Sequence, residues 1–252
     1  SPENINPGPN YIVKDTAQAI ADGANSADIA VANALFAATS VVADGGEAID
    51  MSDAFDVQGV SDYDAANSSY EIADDAASVL ADTGTVVDAG VSGVVVTDAT
   101  GAGYVDAADG VDLSELEGQL AAVSNNTQAD IEFRVEDSAS AIASQLAGDN
   151  TLLDGAEDLE VDGGDTTVAG AANIQSSASY DASSSTYTVS DTAGSILEAQ
   201  GTVIDEGITD INVTNTVGAG VGVQLANLED ASLNLETGYS ADVFFDVSDD
   251  AN

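Results

Sequence analysis

Apolar and polar residues alternate in short bursts along this chain, and each burst opens the same phrase. It reads Tyr11-x-Val13-x-Asp15-Thr16-Ala17, then Tyr70-x-Ile72-x-Asp74-Asp75-Ala76, Phe133-x-Val135-x-Asp137-Ser138-Ala139 and Tyr187-x-Val189-x-Asp191-Thr192-Ala193. A fifth copy begins at Phe245-x-Val247-x-Asp249-Asp250-Ala251. A period of two predicts a half-buried strand, and the Ala-rich run behind it, with Ile20 or Ile196 and Leu197 at helical spacing, predicts a helix. The aspartates between them, Asp15, Asp74, Asp137 and Asp191, are expected as N-caps.

A second signature follows each helix, in which a glycine ends it and a short alternating strand returns. The copies are Gly46-x3-Ile49-x-Met51-Ser52-Asp53, Gly90-x3-Val94-x-Val96-Thr97-Asp98, Gly155-x3-Leu159-x-Val161-Asp162 and Gly207-x3-Ile211-x-Val213-Thr214-Asn215. The intervals from motif Asp to this Gly are nearly equal in three copies: Asp74 to Gly90, Asp137 to Gly155 and Asp191 to Gly207. The first, Asp15 to Gly46, is much longer, and its residues 25–44 read as an insertion. Each unit is therefore expected to be β-α-β, with a polar remainder holding a third strand such as Ser232 to Leu235. Starts at Tyr11, Tyr70, Phe133, Tyr187 and Phe245 divide the chain into repeats at 11–69, 70–132, 133–186 and 187–244, with 245–252 as the first strand of a fifth. All three prolines, Pro2, Pro7 and Pro9, fall in residues 1–10, which read as an extended arm. The expected fold is α/β, an array of β-α-β units with extra strands, either solenoid-like or beaded.

Composition narrows the chemistry. Forty-six acidic residues face one Lys and one Arg, for a net charge of −44, and His and Cys are absent. A surface without cations cannot neutralise phosphates, so nucleic acid is excluded as a partner, as are anionic membranes. No apolar run approaches the length of a membrane span. A hydrophobic fraction of 44% argues for a folded chain despite the charge. Without Trp, the core must be built from Ala, Val, Ile and Leu in thin layers. The two cations, Lys14 and Arg134, are expected on solvent-facing strand positions beside local carboxylates. Catalysis would have to rest on carboxylates and tyrosines alone, and the acids are spread evenly over the repeats, so the chain is not expected to be an enzyme.

Such a charge makes cations the first ligand to expect. Calcium takes six to eight oxygens, and acidic residues beside glycine offer several in a tight reversal. The candidate metal ligands are Asp53 and Asp98 at strand ends, Asp106, Asp109 and Asp112 around Gly110, and Asp162 and Asp165 around Gly163-Gly164. Neither an EF-hand loop nor a GGxGxD nonapeptide is present.

The strand-to-helix phrase, followed by Gly-x3-Ile-x-Val-x-Asp/Asn, resembles the "VxDTAANI…ITVTD" repeats of large, acidic, cysteine-free bacterial exoproteins of the surface-layer, adhesin and RTX-associated kind. The resemblance covers most of residues 11–252. It implies an extracellular, calcium-dependent protein acting in a coat, in adhesion or in a biofilm matrix, and assembling with itself. Separately, the incomplete fifth copy of the phrase suggests that residues 243–248 complete the sheet of the next copy, with the Pro-rich arm engaging the preceding one. The alternatives are a glycan- or receptor-binding adhesin module, with specificity in residues 25–44 or 181–186, and a haloarchaeal cell-surface protein.

Overall fold

A computed structural model describes residues 11–97, 103–124, 129–203, 205–232 and 241–248. In chain order its elements begin with β1 (Ile12–Asp15), α1 (Ala17–Ala24), α2 (Ile29–Phe36), β2 (Ser40–Ala43) and α3 (Met51–Gly59). A 3-10 turn (Ala65–Asn67) leads to β3 (Tyr70–Asp75), α4 (Ala76–Ala81), α5 (Thr83–Val86), β4 (Val91–Thr97), β5 (Tyr104–Val105) and α6 (Ala107–Val123). Then come β6 (Ile131–Glu132), β7 (Arg134–Asp137), α7 (Ala139–Gln145), β8 (Asp158–Thr166), α8 (Val168–Ser176) and β9 (Thr186–Asp191). The last are α9 (Ala193–Glu198), α10 (Gln200–Val203), β10 (Ile208–Val213), α11 (Ala219–Ser232) and β11 (Asp242–Phe244).

The chain divides into two compact units, Ser1–Gly103 with Glu115–Glu132, and Tyr104–Ser114 with Phe133–Asn252. Both are α/β with parallel sheets. In the first, β1 pairs with β2, β3 with β4 and β4 with β6, while single parallel bridges from Val41 to Tyr63, Asp44 to Ser69 and Ile49 to Ile72 join β2 towards β3. The second holds one six-stranded sheet in the order β11-β10-β9-β8-β7-β5. Neighbours in that sheet are successive strands of the same unit. A strand that must be followed by a parallel strand needs a crossover, and here helical segments supply it.

Register explains the core. In the second unit Val135 lies opposite Leu159, and at another level of β8 Thr166 lies opposite Val189, Val189 opposite Ile211 and Ile211 opposite Val243, a second row crossing four strands. Val135, Leu159, Val189 and Ile211 are wholly buried, as is Ile72, bridged to the nearly buried Ile49 in the first unit, with Val94 next to them. Each such side chain contributes about 1.5–3 kcal/mol by leaving water. The helices form a second layer of their own: α1 packs on α3 and α3 on α5, as α7 packs on α8 and α8 on α10. Small residues permit this, with Ala17, Ala21 and Ala54 buried in the first unit and Ala139 and Ala171 in the second.

One polar network occurs in both units, its side chains recurring at one constant sequence offset. Gln58 Nε2 donates to Tyr70 OH and to Thr85 O, both at 2.8 Å, and Gln175 Nε2 donates to Tyr187 OH at 3.0 Å and Thr202 O at 2.9 Å. Tyr63 OH donates to Asp88 at 2.9 Å and Tyr180 OH to Asp205 at 2.6 Å. The Ser68 hydroxyl accepts from Ala43 N and the Ser185 hydroxyl from Val161 N, each at 3.0 Å. Burial pushes the Tyr70 and Tyr187 phenols up to about 12. Burial also raises Tyr63 and Tyr180, with the adjacent tyrosine and carboxylate adding to it. All four phenols therefore stay protonated, Tyr63 and Tyr180 donating to carboxylates while Tyr70 and Tyr187 accept from Gln58 and Gln175.

The structure corrects several expectations. In the first repeat the returning strand is β2, inside the segment read as an insertion, while Met51, Ser52 and Asp53 open α3 and only Ile49 makes a bridge. The polar remainder of each repeat is mainly helical, as α3, α6, α8 and α11, because its apolar residues recur at helical spacing (Leu113, Leu116, Leu120; Ala171, Ile174). The expected third strand at Ser232 to Leu235 starts at the last residue of α11 and otherwise lies outside the described residues, as does the N-terminal arm. Residues 243–248, expected as one strand, are divided: Val243 and Phe244 belong to β11 and pair with β10, and Val247 makes a single bridge to Val217.

Replacing Gln58 or Gln175 by Ala leaves a phenol and a carbonyl without their donor, a loss of about 1–3 kcal/mol each. Thermal unfolding of the two variants should show similar drops in Tm; an unchanged curve for either would mean the network does not stabilise that unit.

Candidate functional site

The recurring strand-end carboxylates are the chemical signature of the chain, and the structure gives them a shared task. N-capping belongs to the residue after them. Thr16, Asp75 and Thr192 accept from the third helical N–H (Ala19, Ser78, Ser195), and Ser138 holds the cap position of α7. This corrects the expectation that Asp15, Asp74, Asp137 and Asp191 are the caps.

Most of these strand-end acids bind in two directions. With Oδ1 each accepts from the N–H of the next residue, as Asp15 does from Thr16, Asp74 from Asp75, Asp137 from Ser138 and Asp191 from Thr192, at 2.7–2.9 Å. With Oδ2 three of them accept from the first residue of an earlier helix. Asp74 takes Met51 N of α3 at 3.0 Å, Asp137 takes Ala107 N of α6 at 3.2 Å, and Asp191 takes Val168 N of α8 at 3.2 Å. Asn215 does the same through Oδ1 with Ala193 N of α9 at 2.8 Å. A helix start carries unsatisfied N–H groups and partial positive charge, so a carboxylate there gains on both counts. For Asp191, burial raises the pKa, but the hydrogen bonds from Thr192 and Val168 outweigh it and the net shift is downward.

The residues proposed as metal ligands are dispersed. Asp53 is in the first turn of α3 and accepts from Gln18 Nε2 at 2.7 Å. Asp98 lies outside the described residues. Asp106, Asp109 and Asp112 do come together around the start of α6: Asp106 Oδ1 accepts from Ala108 N and Asp109 N at 2.9 Å, and Asp109 is raised by burial and by the charges of Asp106 and Asp112. Asp162 and Asp165 sit on the irregular part of β8, opposite Thr186 and Thr188. Between them Gly163 and Gly164 have φ of 75° and 81°, and a Cβ on Gly164 would lie 3.2 Å from that of Ser138. Gly164 thus serves a close chain approach, and Gly163 a left-handed backbone turn in open space. Asp44-Gly45-Gly46-Glu47 repeats the arrangement in the first unit, with Gly46 against Thr16. Among the described residues no three acidic side chains are placed to hold one metal ion.

Both cations are on exposed or half-exposed strand positions with local acids, Lys14 2.6 Å from Asp44 and Arg134 3.6 Å from Glu157. Arg134 also lies over the ring of Tyr104, 5.9 Å from its centre, and Tyr104 OH donates to Glu160 at 2.5 Å.

Sequence reading missed two arrangements. The Gln-Tyr-Thr network was signalled by Gln58, Tyr63 and Tyr70 recurring as Gln175, Tyr180 and Tyr187. The other is an acid pair in the first unit, where burial, then the hydrogen bond and charge of Asp130, push Glu117 up to about 7. Its signal was faint, since an acid on a long acidic helix reads as solvated surface.

No protein-family model, curated protein or solved structure matches the chain.

Alanine in place of Asp74, Asp137 or Asp191 removes an acceptor from two N–H groups, with an expected loss of about 1–3 kcal/mol in urea unfolding. Asp191→Asn should fall between wild type and Ala, because its amide oxygen can accept from Val168 N as that of Asn215 does from Ala193 N, while its NH2 cannot accept from Thr192 N; a loss equal to that of Ala would count against the bonding scheme. The Glu117 pair sets a pH dependence. Its folded pKa of about 7 exceeds its ordinary 4.5, so the folded state binds the proton more tightly and this contribution fades as pH rises from 4.5 to 7. Glu117→Gln should flatten that part of the stability profile, measured by urea midpoints across the interval.

Proposed function

We propose that this chain is an extracellular structural protein, a solenoid-like segment or subunit of a surface layer, biofilm-matrix filament or large adhesin. The observation that carries the reading is the order of the strands. Within each unit a strand lies in parallel beside the next one, and a strand-end side chain repeatedly ties the sheet to an earlier helix. Nothing in such a scheme limits the number of layers. A stack of this kind grows by adding units, and its value is length and surface.

The charge fits the same reading. At −44 the chain repels itself and its copies, and assembly requires screening or cations that bridge carboxylates. Divalent cations, calcium first, are the proposed partners. They would relieve the repulsion from Asp106 and Asp112 that adds to burial in raising Asp109.

Titrating calcium into the chelated chain, with magnesium and sodium at matched ionic strength, tests this through circular dichroism and light scattering together. Micromolar to millimolar calcium is expected to sharpen folding and produce large particles. Equal effects of sodium would reduce the acids to a solvated surface and remove the cation-bridged assembly.

A further inference from the structure

The two units offer a comparison that identifies a joining surface. In the second unit, the strand phrase Phe133-x-Val135 is covered on its upstream edge by β5 and the first turns of α6. Tyr104 lies opposite Arg134 and Val105 opposite Val135, and a Cβ on Gly110 would lie 2.6 Å from Val135. Val135 is fully buried as a result. The same phrase at Tyr11-x-Val13 is less covered. Ile12 is 67% exposed, Val31 and Phe36 are 47% and 45% exposed, and Val13, Ile20, Val31 and Leu35 line an open apolar cavity of about 410 Å³.

The covering element has a second copy of its own, for Tyr104, Val105 and Gly110 are matched at one constant offset by Thr216, Val217 and Gly222. Its occupant is the fifth strand phrase. Val247 bridges Val217 in parallel, Val217 N donates to Asp246 O and Ser248 N to Val217 O, both at 3.0 Å, and Gly222 lies against Phe245 and Val247. Val217 and Val247 are as far apart in the chain as Val105 and Val135.

We propose that the face formed by Thr216, Val217 and the first turns of α11 is a joint for β1 of a second copy, and that residues Phe245–Ser248 occupy it in the free chain as an internal equivalent of β1. This rests on the structural reading above and names its contact. The occupant follows from the match of phrases: Tyr11-x-Val13-x-Asp15 carries the same apolar positions as Phe245-x-Val247-x-Asp249. Exchange is head to tail, so each copy that gives its β1 still presents its own α11 face. The internal strand has the advantage of effective concentration, in the millimolar range for a short connection, which keeps the free chain monomeric when dilute.

The test is light scattering on the whole 252-residue chain at micromolar concentration in physiological salt, for wild type and for a Phe245→Asp, Val247→Asp double variant. The double variant should form species of two or more chains where wild type is monomeric, and adding Val13→Asp should return it to one. A folded double variant that stays monomeric, or oligomers indifferent to Val13→Asp, would overturn the joint. Should the double variant fail to fold, cross-linking decides. The chain has no native cysteine, so Ile12→Cys and Thr216→Cys on separate wild-type-background copies, mixed near millimolar concentration, should form a disulfide-linked dimer, and its absence overturns the proposal. Calcium-dependent particles that form equally well in Val13→Asp protein would reject this joint and leave the structural reading intact.

Discussion

A helix that begins directly after a strand has backbone N–H groups with no partner, and this chain satisfies one of them from the end of a later strand. The bond from Oδ2 of a strand-end Asp to the first N–H of an earlier helix spans 23 residues at Asp74 and Asp191 and 30 at Asp137, and the matching bond from Asn215 spans 22. Much else follows from that contact. It fixes where one strand stops relative to its neighbour, and register then aligns Val135, Leu159, Val189 and Ile211 in buried rows. Length variation is absorbed in the helix: the longest interval contains α6, with 17 residues, whereas α8 has nine. The strand end stays constant while the rest of the layer changes size.

The same economy governs the polar interior. A chain at −44 can ill tolerate a buried carboxylate without donors, and its inward-facing polar groups are mostly neutral amides, hydroxyls and phenols. Gln58 and Gln175 bind a phenol on one strand and a carbonyl beyond it, which locks the helix to the sheet without placing charge there. Asp88 and Asp205 carry charge at the edge of the network, each accepting from a tyrosine and from the N–H of Gly90 or Gly207. Those glycines are required by space, since a Cβ would overlap the hydroxyl of Tyr63 or Tyr180. The ion pairs of Lys14 and Arg134 are exposed and contribute little by comparison.

The strand of each phrase and the helix behind it were legible because period-two phrases ending on Asp recur with fixed neighbours. The second half of each repeat was read less well. Its helices α3 and α8 follow Gly-Gly turns that look like strand exits, and the residue that decides the matter is the cap, Asp50 or Thr167, a few places further on. The role of the strand-end Asp was half legible. Asp followed by an Ala-rich run satisfies a capping rule locally, and nothing local reveals that the second oxygen reaches a helix far upstream. The acid clusters carry two readings at once, for Asp162-Gly163-Gly164-Asp165 has the composition of a cation loop, while Gly164 also lets β8 pass close to Ser138.

If the chain is the proposed stack, units that meet through an apolar row and a strand-end side chain would have no feature that distinguishes an internal neighbour from an external one. Discrimination must then come from connection and charge. Within a chain, the next layer is held nearby by a short helix and needs no screening to arrive. Between chains, the same contacts must overcome repulsion among copies that each carry a net charge of −44, which salt or divalent cations confine to distances of about 10 Å or less. In the proposed assembly the contacts would set the geometry, while the ionic medium would set whether it occurs. On the proposed reading, the acidic residues placed away from the strand ends would make extension of the array conditional on the cations around it.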